Sequence, residues 1–498
     1  MKKIVIIGGG IAGLSAGCYA RINGYDVDIF EMHTLPGGLC TAWKREGYTF
    51  DVCIHWLEGT SPNSPFHSIW QELGVIQDKK IYYKDVSVRL FSNGQVVNFY
   101  CDPDKLAKHL KEIAPEDSEM IDELVYTIRK AYSLFNMPLT KAKELSGVID
   151  KLKIVKSFIP FMKFFIKYAR MKIDKFAAKF NNPILRQAII ALMADTEFDQ
   201  FFGIPFMIAT QGCGFPEGGS LNFSKSIEQN YIKLGGRIHY NSKIEKILVK
   251  NNEAVGVRLE NGKEIKADIV ISAADGYSTI FKMLDGKFIN KKIKDCYENQ
   301  PTFPTYLQVS IGVDMDLSRN SNLNNSIYNF YKLDEPIEIA GKKHRFFSLK
   351  NYAFDPTFSP KGKTTLVVGF SCNYENWEKF YHDRVSYQQE KKKVERAVIS
   401  QLEKIIPGIK DKIEVIDIAT PLTIVRYTNN WKGSYMGWAN PFSVKISRTL
   451  PKLKNFFMIG QWVGNTGVSG AAQGGRDSIE YMCKKDKKKF ITFSKVRD

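Results

Sequence analysis

Three glycines in the spacing G-x-G-x-x-G, Gly8, Gly10 and Gly13, stand directly after the β-branched run Lys3-Ile-Val-Ile-Ile7. That spacing suits phosphate chemistry: the first glycine makes a tight turn, the second lets backbone approach a pyrophosphate, and the third lets helix and strand come together. The helix that must follow reads from Leu14 to Ile22, with small residues at Ser15, Ala16, Gly17 and Ala20 for close packing. Its exposed N–H groups and positive dipole end favour a diphosphate. A second strand, Asp26-Val-Asp-Ile-Phe30, ends in Glu31. An acid there is placed to accept hydrogen bonds from a ribose diol and disfavours a 2′-phosphate, so FAD or NAD is expected over NADP. A second glycine pair, Gly37 and Gly38, follows in His33-Thr-Leu-Pro-Gly-Gly-Leu-Cys-Thr41. Simple NAD enzymes have no need of such a turn; two-dinucleotide-domain flavoproteins use one to bring backbone against the FAD ribityl and pyrophosphate. FAD is the expected cofactor.

Further segments appear in a fixed order. Gly47-Tyr-Thr-Phe-Asp51 and Ile54-His-Trp56 come next, then the turn Gly214-Phe-Pro-Glu-Gly-Gly-Ser220 opening a helix from Leu221 to Leu234. Gly235-Gly-Arg-Ile-His239, Ile244-Glu-Lys-Ile247 and Ala267-Asp-Ile-Val-Ile-Ser-Ala273 read as strands. Near the C-terminus, Pro421-Leu-Thr423, Arg426-Tyr427 and Gly433-Ser-Tyr435 precede Phe456-Phe-Met-Ile-Gly-Gln-Trp462 and Gly464-Asn-Thr-Gly-Val-Ser-Gly-Ala471. Together these motifs resemble the phytoene desaturase family of flavoproteins, with its carotenoid isomerases and retinol saturases, within the wider amine-oxidase-like FAD group. The resemblance spans nearly the whole chain. It implies FAD contacts at Gly8, Gly10, Ile11, Ala12, Gly13, Glu31, Gly37, Gly38, Leu39, Ile244, Gly460, Gln461 and Val468. It also implies a long apolar polyene or lipid substrate that enters from a bilayer. Two departures stand out: Leu39 where many relatives carry Arg, and a Gly464–Gly467 loop with less glycine and proline than is common.

The fold class expected is α/β: a Rossmann-like FAD-binding domain of the two-dinucleotide-binding type, a mixed-sheet substrate domain and a helical lid. The motif order makes these domains discontinuous. FAD-binding segments are expected at 1–84, 210–290 and 451–498, the last ending in a basic tail; substrate-domain segments at 85–140 and 291–450; and the lid at 141–209. Val86–Phe91 and Val96–Tyr100 read as a hairpin turned at Asn93-Gly94. Phe303–Val313 and Thr364–Cys372 read as strands of the same second sheet, the floor of a substrate cavity.

The chain has 498 residues, 44% hydrophobic and 25% charged, which is ordinary globular composition and excludes extended disorder. Eight cysteines without a C-x-x-C pair suggest neither a disulfide framework nor a zinc site, so no metal is expected and a reducing, cytoplasmic setting is. A strand beginning at the third residue leaves no place for a signal peptide, and no apolar run is long enough to span a membrane. The net charge of +18 is the one extreme value, and residues 151–179 supply +8 of it through nine basic residues and one acid. On a helical wheel Lys156, Lys163, Lys167 and Arg170 share one face, while Phe158, Phe161, Met162, Phe165 and Ala169 occupy another, with Pro160 starting or kinking the helix. A basic amphipathic helix with aromatic residues fits an anionic membrane surface, giving a peripheral location on its inner face. The alternative is a lid whose apolar face lies on its own core. Nucleic acid is not expected, because the charge is concentrated on an aromatic-apolar helix.

His55 is the candidate catalytic residue, since a histidine can donate or accept a proton near neutrality; alternatively it is held for structure. Trp431, Tyr435 and Trp438 either line the cavity or pack in a sheet. Cys40 reads as structural, and Asp477 and Glu480 as solvated. The leading functional expectation is an FAD-dependent oxidoreductase acting on C–C or C=C bonds of a carotenoid, retinoid or other lipid, by desaturation, saturation or isomerisation. A flavin amine oxidase and a non-catalytic lipid or prenyl carrier are the alternatives; the sequence does not give the oligomeric state.

Overall fold

The computed structural model describes residues 1–77, 79–137, 142–193, 200–439 and 446–492. Because Lys3–Ile7 is apolar on both faces, it becomes the centre of a parallel sheet covered on both sides. The strand order is Phe456–Met458, Ile269–Ser272, Lys3–Ile7, Asp26–Phe30, Arg237–His239, and every neighbouring pair is parallel. Three distant stretches of chain therefore meet in one Rossmann-like sheet. Helix Ile11–Ile22 lies between helices Gly219–Lys233 and Gly467–Lys485, packed against both.

A second, seven-stranded sheet has the order Ile413–Ala419, Thr305–Val313, Thr364–Cys372, Lys342–Asn351, Ser326–Ile339, Val86–Ser92, Gln95–Tyr100. It is mixed: Ser326–Ile339 runs parallel to Val86–Ser92, and the other pairs are antiparallel. The α/β fold class read from the sequence holds, with the mixed sheet in the second domain.

The helical layer begins at Pro103. Helices Pro103–Ile113 and Ser118–Phe135 share one apolar core with the later helices and with the sheet: Leu106 and Ile121 join Val88, Phe99, Phe164 and Ile204. Pro160 does break the basic helix: Val148–Phe158 and Met162–Tyr168 are joined by a 3-10 turn at Ile159–Phe161. That break rearranges the apolar face expected from a continuous wheel. Phe161, Phe164 and Tyr168 are buried in the core, whereas Phe158, Phe165 and Ala169 turn to a cavity. Met162 does not join them; it belongs to a third set, exposed on the surface, with Val148, Leu152, Val155, Ile159 and Ile166. Among the described residues no helix is long and apolar enough to cross a membrane.

Candidate active site

The two glycine loops lie against each other at the carboxyl ends of the parallel strands. Gly37 N–H donates to Gly9 O at 2.9 Å, and Gly10 pairs with Gly37 in an isolated bridge. A Cβ on Gly13 would stand 2.0 Å from Gly8 O, so helix and strand close only because that position has no side chain. Gly37, at φ +106°, has Cys40 O and Ser224 Oγ where its Cβ would be, at 2.2 and 2.5 Å. Glu31 is fixed between the loops: Gly9 N–H donates to Oε2 at 2.7 Å and His33 N–H to Oε1 at 2.8 Å.

From these loops one cavity of about 1790 Å³ runs into the second domain, larger than the roughly 300–1,000 Å³ of a single small-molecule site. Gly8, Gly10, Ile11, Ala12, Glu31, Gly37, Gly38, Leu39, Ile244, Gly460, Gln461 and Val468 all line it; of the cofactor residues expected from the sequence, Gly13 alone does not, being committed to packing. The N-termini of helices Ile11–Ile22 and Gly467–Lys485 open on the cavity, and neither carries a side-chain cap. Their first N–H groups are thereby left for an anionic ligand. At Gly10 the nearest atom to an added Cβ is Gly37 O at 3.8 Å, so backbone there faces open cleft. This groove fits the pyrophosphate of FAD, which the glycine loops and the two helix ends would hold, and Glu31, Ile244, Gln461 and Val468 line the same cavity.

Polar groups are few beyond the groove. The segment Val52–Glu58 forms one wall, and His55 lies on it as expected. Its protonation is not as expected. Lys350 Nζ donates to His55 Nδ1 at 2.5 Å, and burial together with that amine holds the imidazole well below its ordinary pKa. His55 is therefore neutral through the neutral range, which corrects the near-neutral titration expected from residue type alone. Lys350 itself is buried and stands over the Tyr328 ring at 4.3 Å; burial pushes its pKa well down. Nearby Asp51, fully buried, accepts from Ser220 N–H and Oγ, both at 2.6 Å, and burial pushes its carboxyl up to about 6.

Glu58, at the end of the same wall, accepts from Ser469 Oγ at 2.8 Å, and burial pushes its carboxyl up to about 7. Neither Lys350 nor Glu58 was found by sequence reasoning. The signal for Lys350 was present, a lysine inside the apolar strand run Phe346-Phe-Ser-Leu-Lys350. For Glu58 there was none, since its burial depends on helix Gly467–Lys485, four hundred residues on. The three aromatics divide: Tyr435 lines the cavity beside Phe303 and Tyr306, whereas Trp431 and Trp438 pack with Tyr277, Tyr297 and Trp462. Asp477 and Glu480 are not solvated as expected. Asp477 is buried, with its carboxyl pushed up to about 7, and Glu480 accepts from Ala142 N–H at 3.1 Å.

Known proteins are similar to this chain over most of its length. Prolycopene isomerase 2 of an Oncidium hybrid cultivar is 26% identical over 461 residues, covering 86% of this chain and 74% of that one. The all-trans-retinol 13,14-reductase of Danio rerio is 24% identical over 513 residues, covering 94% and 84%. A solved structure of a redesigned putrescine oxidase mutant superposes with a TM-score of 0.63 at 12% identity, covering 97% of this chain and 99% of that one, which is a likeness of fold. The sequence profile of the flavin containing amine oxidoreductases matches residues 11–478. With the paired glycine loops, the two uncapped helix ends and the parallel sheet that positions them, the chain belongs to the flavin containing amine oxidoreductase family and is an FAD-dependent oxidoreductase.

Proposed function

We propose that the protein acts on carbon–carbon bonds of a hydrophobic polyene or lipid such as a carotenoid or retinoid, by desaturation, saturation or isomerisation. The observation that carries this reading is the continuity of the cavity: it leads from the glycine loops to a far end walled by Phe165, Phe202, Phe206, Phe330 and Phe346. Such a wall offers area to a long apolar chain and little to an ammonium group. Bound FAD supplies hydride exchange at its ring. The chain's part is to lay the substrate along the aromatic wall, bring one bond of it past Tyr435 and Gln461, and exclude water. The names of the isomerase and reductase relatives support the reading.

The same proposal gives the substrate a route. Val148, Leu152, Val155, Ile159, Met162 and Ile166 recur at intervals of three and four, all exposed, with Lys153, Lys156, Lys163 and Lys167 exposed among them. Phe158 and Phe165 of these same helices, and Arg170 just beyond them, line the cavity. A stripe of this kind lies in the plane of an anionic membrane surface, which makes the protein peripheral on the inner membrane face, with the cavity mouth at the lipid.

The test is anaerobic flavin absorbance of the purified holoprotein, oxidised and photoreduced, on addition of carotenoids, retinoids, unsaturated fatty acids and primary amines. A redox change or a geometric isomer produced by a polyene or fatty acid is the expected result. Bleaching by amines alone overturns the reading in favour of amine oxidation, and protein that purifies without flavin yet binds isoprenoids overturns it in favour of a carrier.

A further inference from the structure

We propose that Glu58, held by Ser469 at the cavity wall, is the catalytic residue that carries the proton exchanged with the substrate carbon, a role that rests on the carbon–carbon reading above. Adding hydrogen across a double bond needs a hydride at one carbon and a proton at the next; removing it needs the reverse. In an apolar cavity a polar side chain on the wall is suited to carry that proton.

The carboxylates lining the cavity, among the described residues, are Glu31, Asp275 and Glu58. Glu31 and Asp275 are each held through both oxygens by backbone: Gly9 and His33 N–H on the first, Ser278 and Trp431 N–H on the second, at 2.7–2.9 Å. Glu58 differs. Its Oε2 accepts from Ser469 Oγ, and among the described residues Oε1 accepts no hydrogen bond and remains for the cavity. Ser469 follows Val468 at the start of helix Gly467–Lys485, the helix end that faces the cofactor groove, so the carboxyl lines the cavity beside that helix end.

Other ionisable groups of the wall are set for different states. His55 is neutral behind Lys350, and His344 is pushed down to about 4. Tyr306, Tyr328 and Tyr435 are pushed far up by burial, beyond use near neutrality. Cys213 faces Glu58 from the opposite loop; it is pushed up to about 12, partly by the Glu58 charge itself, and stays a thiol. Only burial, which raises Glu58, and the Ser469 bond, which lowers it, act on this carboxyl, leaving it near 7.

The step balances simply. In saturation the Oε1–H bond breaks, the proton joins the carbon next to the one that received hydride, and Glu58 is left as carboxylate. In desaturation the carboxylate takes that proton as the hydride leaves for FAD. In isomerisation a proton is lent and returned with no net electron flow.

Infrared difference spectra of the FAD-loaded protein between pH 5 and 9 read the proton directly. Wild type is expected to lose a protonated-carboxyl band with a midpoint near 7. Glu58→Gln removes the Glu58 component of that band and leaves those of Asp51, Asp275 and Asp477, whose buried carboxyls are also raised, and Ser469→Ala moves the Glu58 component upward, because the hydroxyl bond favours the carboxylate. With a polyene that reacts with the wild-type flavin, Glu58→Gln slows the reaction about 100-fold or more at unchanged flavin content, and Glu58→Asp restores a pH-dependent limb. A difference spectrum unchanged by Glu58→Gln overturns the assignment, as does a Glu58→Gln protein that reacts at the wild-type rate. A band that behaves as expected in a protein that reacts with no polyene or lipid counts against the substrate reading instead.

Discussion

The two walls of the cavity are built by different means. At the groove, contact is made by backbone: glycine loops pressed together, strand ends in parallel register, and two helix N-termini left uncapped. At the far side, contact is made by side chains drawn from a seven-stranded sheet and a helical layer, with His55, bonded to Lys350 behind it, set among aromatics. The backbone wall tolerates little change because an added atom meets main chain. The side-chain wall can be altered one residue at a time. Binding the cofactor and selecting the substrate are therefore separable in this molecule.

The largest expected effect breaks the backbone wall. Gly37→Ala places a Cβ against Cys40 O and Ser224 Oγ at a backbone angle that side chains rarely adopt. It should abolish bound flavin, read as the absorbance ratio of flavin to protein, while the helical core far from it stays folded by circular dichroism.

A smaller effect sharpens the contrast between Glu31 and Glu58. Because burial raises the Glu58 pKa from an ordinary carboxyl value to about 7, the folded state binds more protons than the unfolded between those values. Stability from this group is therefore fully present below pH 4.5 and falls as pH rises to 7. Glu58→Gln should match wild type near pH 4.5 and exceed it at pH 8 by up to about 3 kcal/mol, measured by urea denaturation at each pH. Equal stability at both pH values would contradict the burial argument.

The smallest effect concerns the outer rim. Each aliphatic side chain withdrawn from water contributes about 1.5 kcal/mol or more, so Val155→Asp and Ile166→Asp should each weaken binding to anionic vesicles about tenfold, with the fold unchanged. Binding should also fall with added salt, since Lys153, Lys156 and Lys163 are exposed beside the stripe. Wild-type protein that fails to sediment with such vesicles at low salt would remove the membrane proposal.

The same division decides what was legible in the sequence. The G-x-G-x-x-G loop, the Gly37-Gly38 pair and Glu31 act through backbone geometry and local spacing, and the strands and helix around them follow from nearby residues. The Asn93-Gly94 hairpin was readable for the same reason, both residues having positive φ. The side-chain wall was not readable in this way. Glu58 depends on Ser469, and His55 on Lys350, pairs separated by hundreds of residues whose meeting is a result of the whole fold. The basic helix shows a third case: residue types were right, but a wheel drawn through Pro160 mixed core, cavity and surface positions that the 3-10 turn sorts apart.

A crystal structure of the FAD-loaded protein grown with a polyene that alters its flavin spectrum tests the central claim of one cavity with two walls. The expected result is FAD along Gly8, Gly10 and Gly37, with the polyene extending from Gln461 and Tyr435 toward Phe165 and a carbon within reach of Glu58 Oε1. A polyene bound outside this cavity, or one whose reacting bond lies far from Glu58 and against a different proton donor, would contradict it.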